Sequence, residues 1–261
     1  MIECMQNSTP ALRAHQTSGT LVTEITPGVW HLEIPAGLKG HYRLAQLDDY
    51  YTLRRSELPW QPPLHISVQA RVSAQDLLGT WGFGLWNNPF SLSLGLGGGE
   101  RRFPALPNAA WFFYASPPNY LSFRNDLPAQ GFLAATFRSQ HLPTLLLALG
   151  APLGALLVIP GAAQLGRWLL RKFIQQEACR IEADVTAWHT YELDWEVEKV
   201  QMRLDGRSVM DTPVSPRGPL SLVLWIDNQY AALPPKGILA FGSLPAPAPA
   251  WLELSIKLAK P

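Results

Sequence analysis

Residues 188–206 read WHTYELDWEVEKVQMRLDG, and this stretch specifies two neighbouring antiparallel strands together with their register. By the period-two rule His189, Tyr191, Leu193 and Trp195 fall on one face of the first strand, and Thr190, Glu192 and Asp194 on the other. Val200, Met202 and Leu204 form the inward face of the second. They alternate with Lys199, Gln201 and Arg203, whose charges can stand opposite Glu192 and Asp194. Asp205-Gly206 closes the turn that follows, where a positive φ costs glycine nothing. Tyr191 and Trp195 are therefore expected in a core.

Working outward, short β-rich runs recur along the chain, among them 20–25, 29–34, 42–47, 65–72, 80–86, 110–114, 120–123, 132–137, 180–185, 220–226, 238–241 and 251–258. Turn formers separate them, as in the proline-rich 58–63 and 116–119. Ten Trp and 24 Pro in 261 residues suit a strand-rich fold with many turns better than a helical bundle. The expectation is one all-β sandwich domain over 1–261.

The run HTYELDW followed by LDG resembles the "FHTYxLEW…VDG" signature of the concanavalin A-like sandwich, especially the laminarinase and lichenase type of glycoside hydrolase, family 16. The resemblance implies a two-sheet antiparallel jelly roll that uses its concave sheet to hold a ligand. Residues 79–90, GTWGFGLWNNPF, are similar to the family's "GxWPAxWL" strand. Family members carry E-x-D-x-x-E or E-x-D-x-E on one strand, where alternate residues project into one cleft and hold two carboxyls at the short separation retaining hydrolysis needs. This sequence has no such triplet. Gly99-Glu100 echoes its start, and Arg101 and Arg102 follow where acids would stand. Hydrolysis by the family mechanism is not expected.

Lys and Arg total 21 against 20 Asp and Glu, a formal charge of +1. No basic stripe interleaved with aromatics offers to track a phosphate backbone, so nucleic acid is not an expected partner. The N-terminal residues show neither a basic n-region nor an apolar h-region, and the expected compartment is the cytoplasm. Cys4, Cys179 and the scattered histidines lack ligand spacing, so no metal and no cofactor are expected.

Candidate site residues come from two clusters. Trp86, Asn87 and Asn88 end one strand. In 222–231, LVLWIDNQYA, an apolar strand runs into polar residues, with Trp225, Asp227 and Gln229 on one face and Asn228 and Tyr230 on the other. Planar amides and a carboxylate beside aromatic rings suit a sugar, whose hydroxyls need polar partners and whose C–H face stacks on a ring. The competing reading is that the asparagines bond their own backbone at turns. The continuous aromatic run Trp111, Phe112, Phe113 and Tyr114 reads as a strand buried on both faces.

Residues 142–176 break the β pattern. They carry no charge before Arg167 and then pass into an amphipathic helix with Leu165, Trp168, Leu169 and Phe173 on its apolar side and Arg167 and Arg171 opposite. Pro152 and Pro160 interrupt any spanning helix. The expectation is an apolar helical insertion whose greasy side is sheltered by the sandwich or a bilayer, with Arg167, Arg171 and Lys172 in solvent. The favoured function is a non-hydrolytic protein that binds a small ligand, a saccharide first, on its concave sheet. The alternatives are an enzyme acting on a hydrophobic metabolite beneath a lid formed by 142–176, with Asp227 or Glu100 as acid/base, and peripheral membrane contact through 142–176.

Overall fold

The computed structural model describes residues 6–8, 11–89, 105–140 and 157–260; strands are numbered in chain order. β11 (His189–Trp195) pairs antiparallel with β12 (Val200–Leu204), Leu193 facing Met202 and Glu192 facing Arg203. Tyr191, Leu193, Trp195, Val200 and Met202 are buried, and on the opposite face Arg203 bridges Glu192 at 3.2 Å and Asp194 at 2.6 Å. Lys199 reaches Asp211 instead. Asp205 and Gly206 have φ of 49° and 75°, two successive positive values that mark the type I′ hairpin leading into β13 (Arg207–Thr212).

Two large antiparallel sheets follow. The eight-stranded sheet runs β13, β12, β11, β6 (Leu64–Val72), β17 (Ala250–Lys260), β4 (Val29–Ile34) and β3 (Leu21–Thr26), with β1 (Gln6–Ser8) paired on β17. Both terminal pairs are irregular: register shifts between Met202 and Arg203 against β13, and between Glu24 and Thr26 against β4. The seven-stranded sheet runs β10 (Ile174–Arg180), β9 (Gly131–Ser139), β8 (Ala109–Ala115), β7 (Thr80–Trp86), β14 (Ser221–Asp227), β5 (Leu44–Asp48) and β2 (Arg13–Gln16). A small ribbon, β15 (Gln229–Ala232) with β16 (Ala240–Ser243), extends from the end of β14.

The sheets face each other across one apolar layer, in which Tyr191 meets Phe83 and Phe112 at 5.1 Å and Phe132 at 5.8 Å. Alternate residues of β8 divide between layers: Phe112 and Tyr114 enter this core, while Phe113 belongs to a second cluster on the other side of the sheet. That side is covered by Tyr42, Tyr50, Leu53 and Leu58, and by Leu121, Phe123, Leu127 and Leu170. A strand buried on both faces reads as an unbroken aromatic run because neither face has to alternate with solvent.

Three expectations change. Residues 120–123 form no strand, Tyr120 making a single bridge to Ala232. The strand sought at 180–185 lies earlier, as β10, which begins where the helix α1 (Pro160–Phe173) ends. In α1 Arg171 and Lys172 are exposed as expected, but Arg167 is not, and the apolar side is not sheltered by the sandwich. Leu165, Trp168 and Leu169 are 57%, 54% and 44% exposed, whereas Arg167 is 4% exposed. Its guanidinium donates to the carbonyls of Ser122 (2.8 Å), Phe123 (2.8 Å) and Leu233 and to Oδ1 of Asn125 (2.8 Å), and it lies 5.4 Å from the Tyr120 ring. Five donors in a fixed fork make arginine the cation that can be buried among carbonyls without an acid. Arg171 and Lys172 occupy the last turn, where the helix dipole favours cations.

Candidate functional site

The outer face of the seven-stranded sheet gathers aromatic and polar side chains from four central strands. Alternation sends Thr80, Gly82, Gly84 and Trp86 of β7, Trp111 and Phe113 of β8, Val223, Trp225 and Asp227 of β14, and Gln46 and Asp48 of β5 to this side. β7 can hold two glycines here because large rings need their space. A Cβ on Gly82 would sit 2.4 Å from the Phe112 carbonyl and 2.9 Å from Cη2 of Trp225. The rings form a continuous floor: Trp111 lies 5.7 Å from Trp225, 6.0 Å from Trp86 and 5.6 Å from Phe113 between centroids, and Tyr50 meets Trp86 edge-on at 5.7 Å. Trp86 and Trp111 are half-buried. The Trp111 Nε1–H is buried without a hydrogen-bond partner among the described residues.

Two polar networks border this floor. Trp225 Nε1 donates to Thr80 Oγ1 (2.9 Å), and the Thr80 hydroxyl donates to Asp227 Oδ1 (2.7 Å). Asp227 also accepts the Gln229 N–H (3.1 Å) and the Tyr42 hydroxyl (3.4 Å). Burial nevertheless raises Asp227 from 3.8 to about 6, and it raises the Tyr42 phenol as well, with Asp227 adding to the effect. In the second network Gln46 Nε2 donates to Asp48 Oδ2 (2.8 Å) and to the Tyr50 hydroxyl (3.1 Å), and Asp48 Oδ1 accepts the N–H groups of Tyr50 and Tyr51. Burial raises Asp48 too. Next in the chain, Asp49 accepts Trp60 Nε1 (2.5 Å) and the Leu222 N–H (2.9 Å) and is raised by burial to about 6.

These raised carboxyls set a pH dependence. The native state holds the Asp227 proton more tightly than the unfolded chain, so stability should fall as pH rises from about 4 to about 6 and level off above. The full shift corresponds to at most about 3 kcal/mol at neutral pH. Asp49 acts in the same window. Asp227→Asn should flatten the slope of the urea midpoint between pH 4 and 6, and an unchanged slope would assign the dependence elsewhere.

Of the residues singled out in the sequence, Trp86, Trp225 and Asp227 share this face, with Trp86 at one end of the pairing, opposite Ser221, and Asp227 at the other, opposite Thr80, about 20 Å apart along the strands. Asn87 and Asn228 spend their side-chain amides on backbone, and Asn88 holds Arg55 through its main-chain carbonyl. Asn87 bonds the Leu106 carbonyl (2.9 Å) and the Asn108 N–H (3.0 Å), tying the end of β7 to the approach to β8. Asn88, at φ 45°, presents its carbonyl to Arg55 at 2.7 Å and 3.1 Å. Asn228, fully buried, accepts the Arg43 N–H (2.8 Å) and donates to the carbonyls of His41 (2.9 Å) and Leu244 (2.7 Å). Gln229 and Tyr230 lie half-buried on β15, and Glu100 lies outside the described residues. Thr80, Gln46, Asp48, Tyr42 and Tyr50 were not singled out, although Thr80 at i+2 spacing from Gly82, and Gln46 from Asp48, carried the signal of outward polar positions. Among the described residues no three of His, Cys, Asp and Glu converge as metal ligands would.

No family model and no curated protein matches the chain. Solved structures do. A κ-carrageenase from Pseudoalteromonas carrageenovora aligns over 91% of this chain and 82% of its own at 9% identity and a TM-score of 0.47. A β-glucanase from Bacillus licheniformis aligns over 98% and 92% at 8% and 0.43. The fold itself is a two-sheet antiparallel sandwich. Against a sialidase the chain aligns over 95% of its own length but only 16% of the other's, at 10% identity and a TM-score of 0.42. Likenesses at these identities and scores say nothing of what this chain binds or does.

Proposed function

We propose that the outer face of the seven-stranded sheet binds a saccharide without hydrolysing it. The binding half is supported by the indoles of Trp86 and Trp111, which stay partly exposed on this face, while Trp225, Gln46, Asp48 and Asp227 of the same face are buried. The single observation behind the non-hydrolytic half is the placement of the carboxylates. Asp48 stands opposite Val223, and Asp227 comes four residues later on β14, which puts them about 13 Å apart along the strand. Retaining hydrolysis uses carboxyls about 5–5.5 Å apart and inverting hydrolysis about 6.5–9.5 Å.

The resemblance of 188–206 to laminarinases chooses the probe. Laminari-oligosaccharides should give a saturable change in tryptophan fluorescence. Trp111→Ala, with an unchanged circular dichroism spectrum, should weaken the binding about ten-fold, in keeping with a stacking loss of about 1.4 kcal/mol. Laminarin and lichenan should release no reducing sugar. Release by the wild type that disappears in Asp227→Asn or Glu100→Gln would overturn the non-hydrolytic half, and no response to any β-glucan or galactan oligosaccharide would overturn the binding half. A second reading, proton donation by Asp227 to an apolar substrate, rests on its carboxyl being raised to about 6.

A further inference from the structure

We propose that the outward face of α1 seats the protein on an anionic lipid surface. Apolar side chains and cations share the outward side here, and a single cation turns inward. Arg167 faces the sandwich and is saturated by loop carbonyls, while Leu165, Trp168 and Leu169, at the i, i+3, i+4 spacing of one helical face, stay more than two-fifths exposed. Val158 and Ile159, just before the helix, are 54% and 52% exposed. Isolated apolar residues on a surface are ordinary, but five within twelve positions on one short element make a patch that calls for a cover.

Charge selects the cover. The chain carries no charged residue between Arg138 and Arg167, counting histidine as neutral, and cations then gather at Arg171 and Lys172. Lys172 Nζ lies 5.4 Å from the Trp168 ring centre, at the border of the apolar face. Lys236 joins Arg171, Trp168, Gln164 and Asn125 around a shallow depression of about 320 Å³. Asp126, an acid within reach of the Arg171 charge, is paired with Arg124. An apolar face carrying a tryptophan and edged by cations fits the boundary between acyl chains and anionic headgroups. No helix among the described residues is long and apolar enough to cross a membrane, so α1 would lie in the surface plane. Its tether through Arg167 would hold the sandwich against that surface.

This reading does not depend on the saccharide proposal. The test is cosedimentation of the full chain with vesicles of phosphatidylcholine alone or mixed equally with phosphatidylglycerol. Binding to the mixed vesicles should exceed binding to the neutral ones at least ten-fold and should fall with added salt. Leu165→Ser with Trp168→Ser, at exposed positions that leave the circular dichroism spectrum unchanged, should lower the partition coefficient at least ten-fold. Arg171→Gln with Lys172→Gln should remove the preference for phosphatidylglycerol. Failure to sediment with the mixed vesicles, or equal sedimentation by the Leu165/Trp168 variant, overturns the proposal. So does a concentration-dependent dimer that the same variant abolishes, which would assign the face to a second copy of the chain.

Discussion

Replacing Trp195 by alanine is expected to lower the unfolding free energy by about 3–5 kcal/mol, the range for a large aromatic truncated inside a core. Trp195 has no exposed surface and sits at the end of β11 with Leu64 on one neighbouring strand and Val200 on the other. Its indole also donates to the Pro216 carbonyl at 3.1 Å, so truncation removes apolar burial and leaves that acceptor unpaired. The loop beyond β13 packs on the ring closely enough that a Cβ on Gly218 would lie 3.3 Å from Cη2, and a void opened there cannot close without moving two elements. The check is a urea titration in which the midpoint shifts while the m-value holds. An unchanged midpoint would show that the ring contributes nothing to the core.

Arg167→Ala is expected to cost about 2–4 kcal/mol and to loosen α1 selectively. Two effects oppose each other. Removing a buried cation recovers its desolvation cost, but three carbonyls and the Asn125 side chain lose their donor, each at about 1–3 kcal/mol if no water replaces it. The unmet acceptors dominate because there are four of them, on two separate segments at 122–125 and 233. Arg167→Lys should rescue little, since an ammonium cannot reproduce the planar fork that reaches all four. Hydrogen exchange would show the loss of protection concentrated in 160–173 and 122–125. Wild-type stability and protection in Arg167→Ala would refute this account of what holds the helix.

Much of the sandwich could be read from the chain, because strands that pack one face or two write their burial into the residue order. β4 and β7 run over 29–34 and 80–86 as expected, and the pairing of β11 with β12, including Arg203 against Glu192, follows from alternation alone. β10 could not be found that way. Gln175, Gln176, Glu177 and Ala178 extend the helical composition of α1, and no glycine or proline marks the change; seven residues of pairing with β9 override the propensity. The face of α1 was misjudged because the acceptors for Arg167 come from loops about 45 and 66 residues away along the chain. Periodicity sees one helix, never its partners. The site was legible only where one strand carried it: Trp225 and Asp227 share β14, whereas Thr80, Gln46 and Tyr42 join them through the order β7, β14, β5, which local sequence does not reveal. Asn87 and Asn228 looked like ligand groups because a side-chain amide serves backbone groups and a sugar hydroxyl equally well.

The two register shifts noted in the eight-stranded sheet have a bearing on self-association. Each lies in the outermost pair, at β3 against β4 and at β12 against β13. A regular terminal strand offers evenly spaced N–H and C=O groups on which another chain can add itself, and growth of that kind has no natural end. A bulge doubles two residues against one, sharpens the local twist and leaves the outer row of groups out of step with any straight newcomer. With such irregularities at both margins the sheet is finite by construction, and contacts between molecules are directed to side-chain surfaces instead of to open hydrogen-bonding edges.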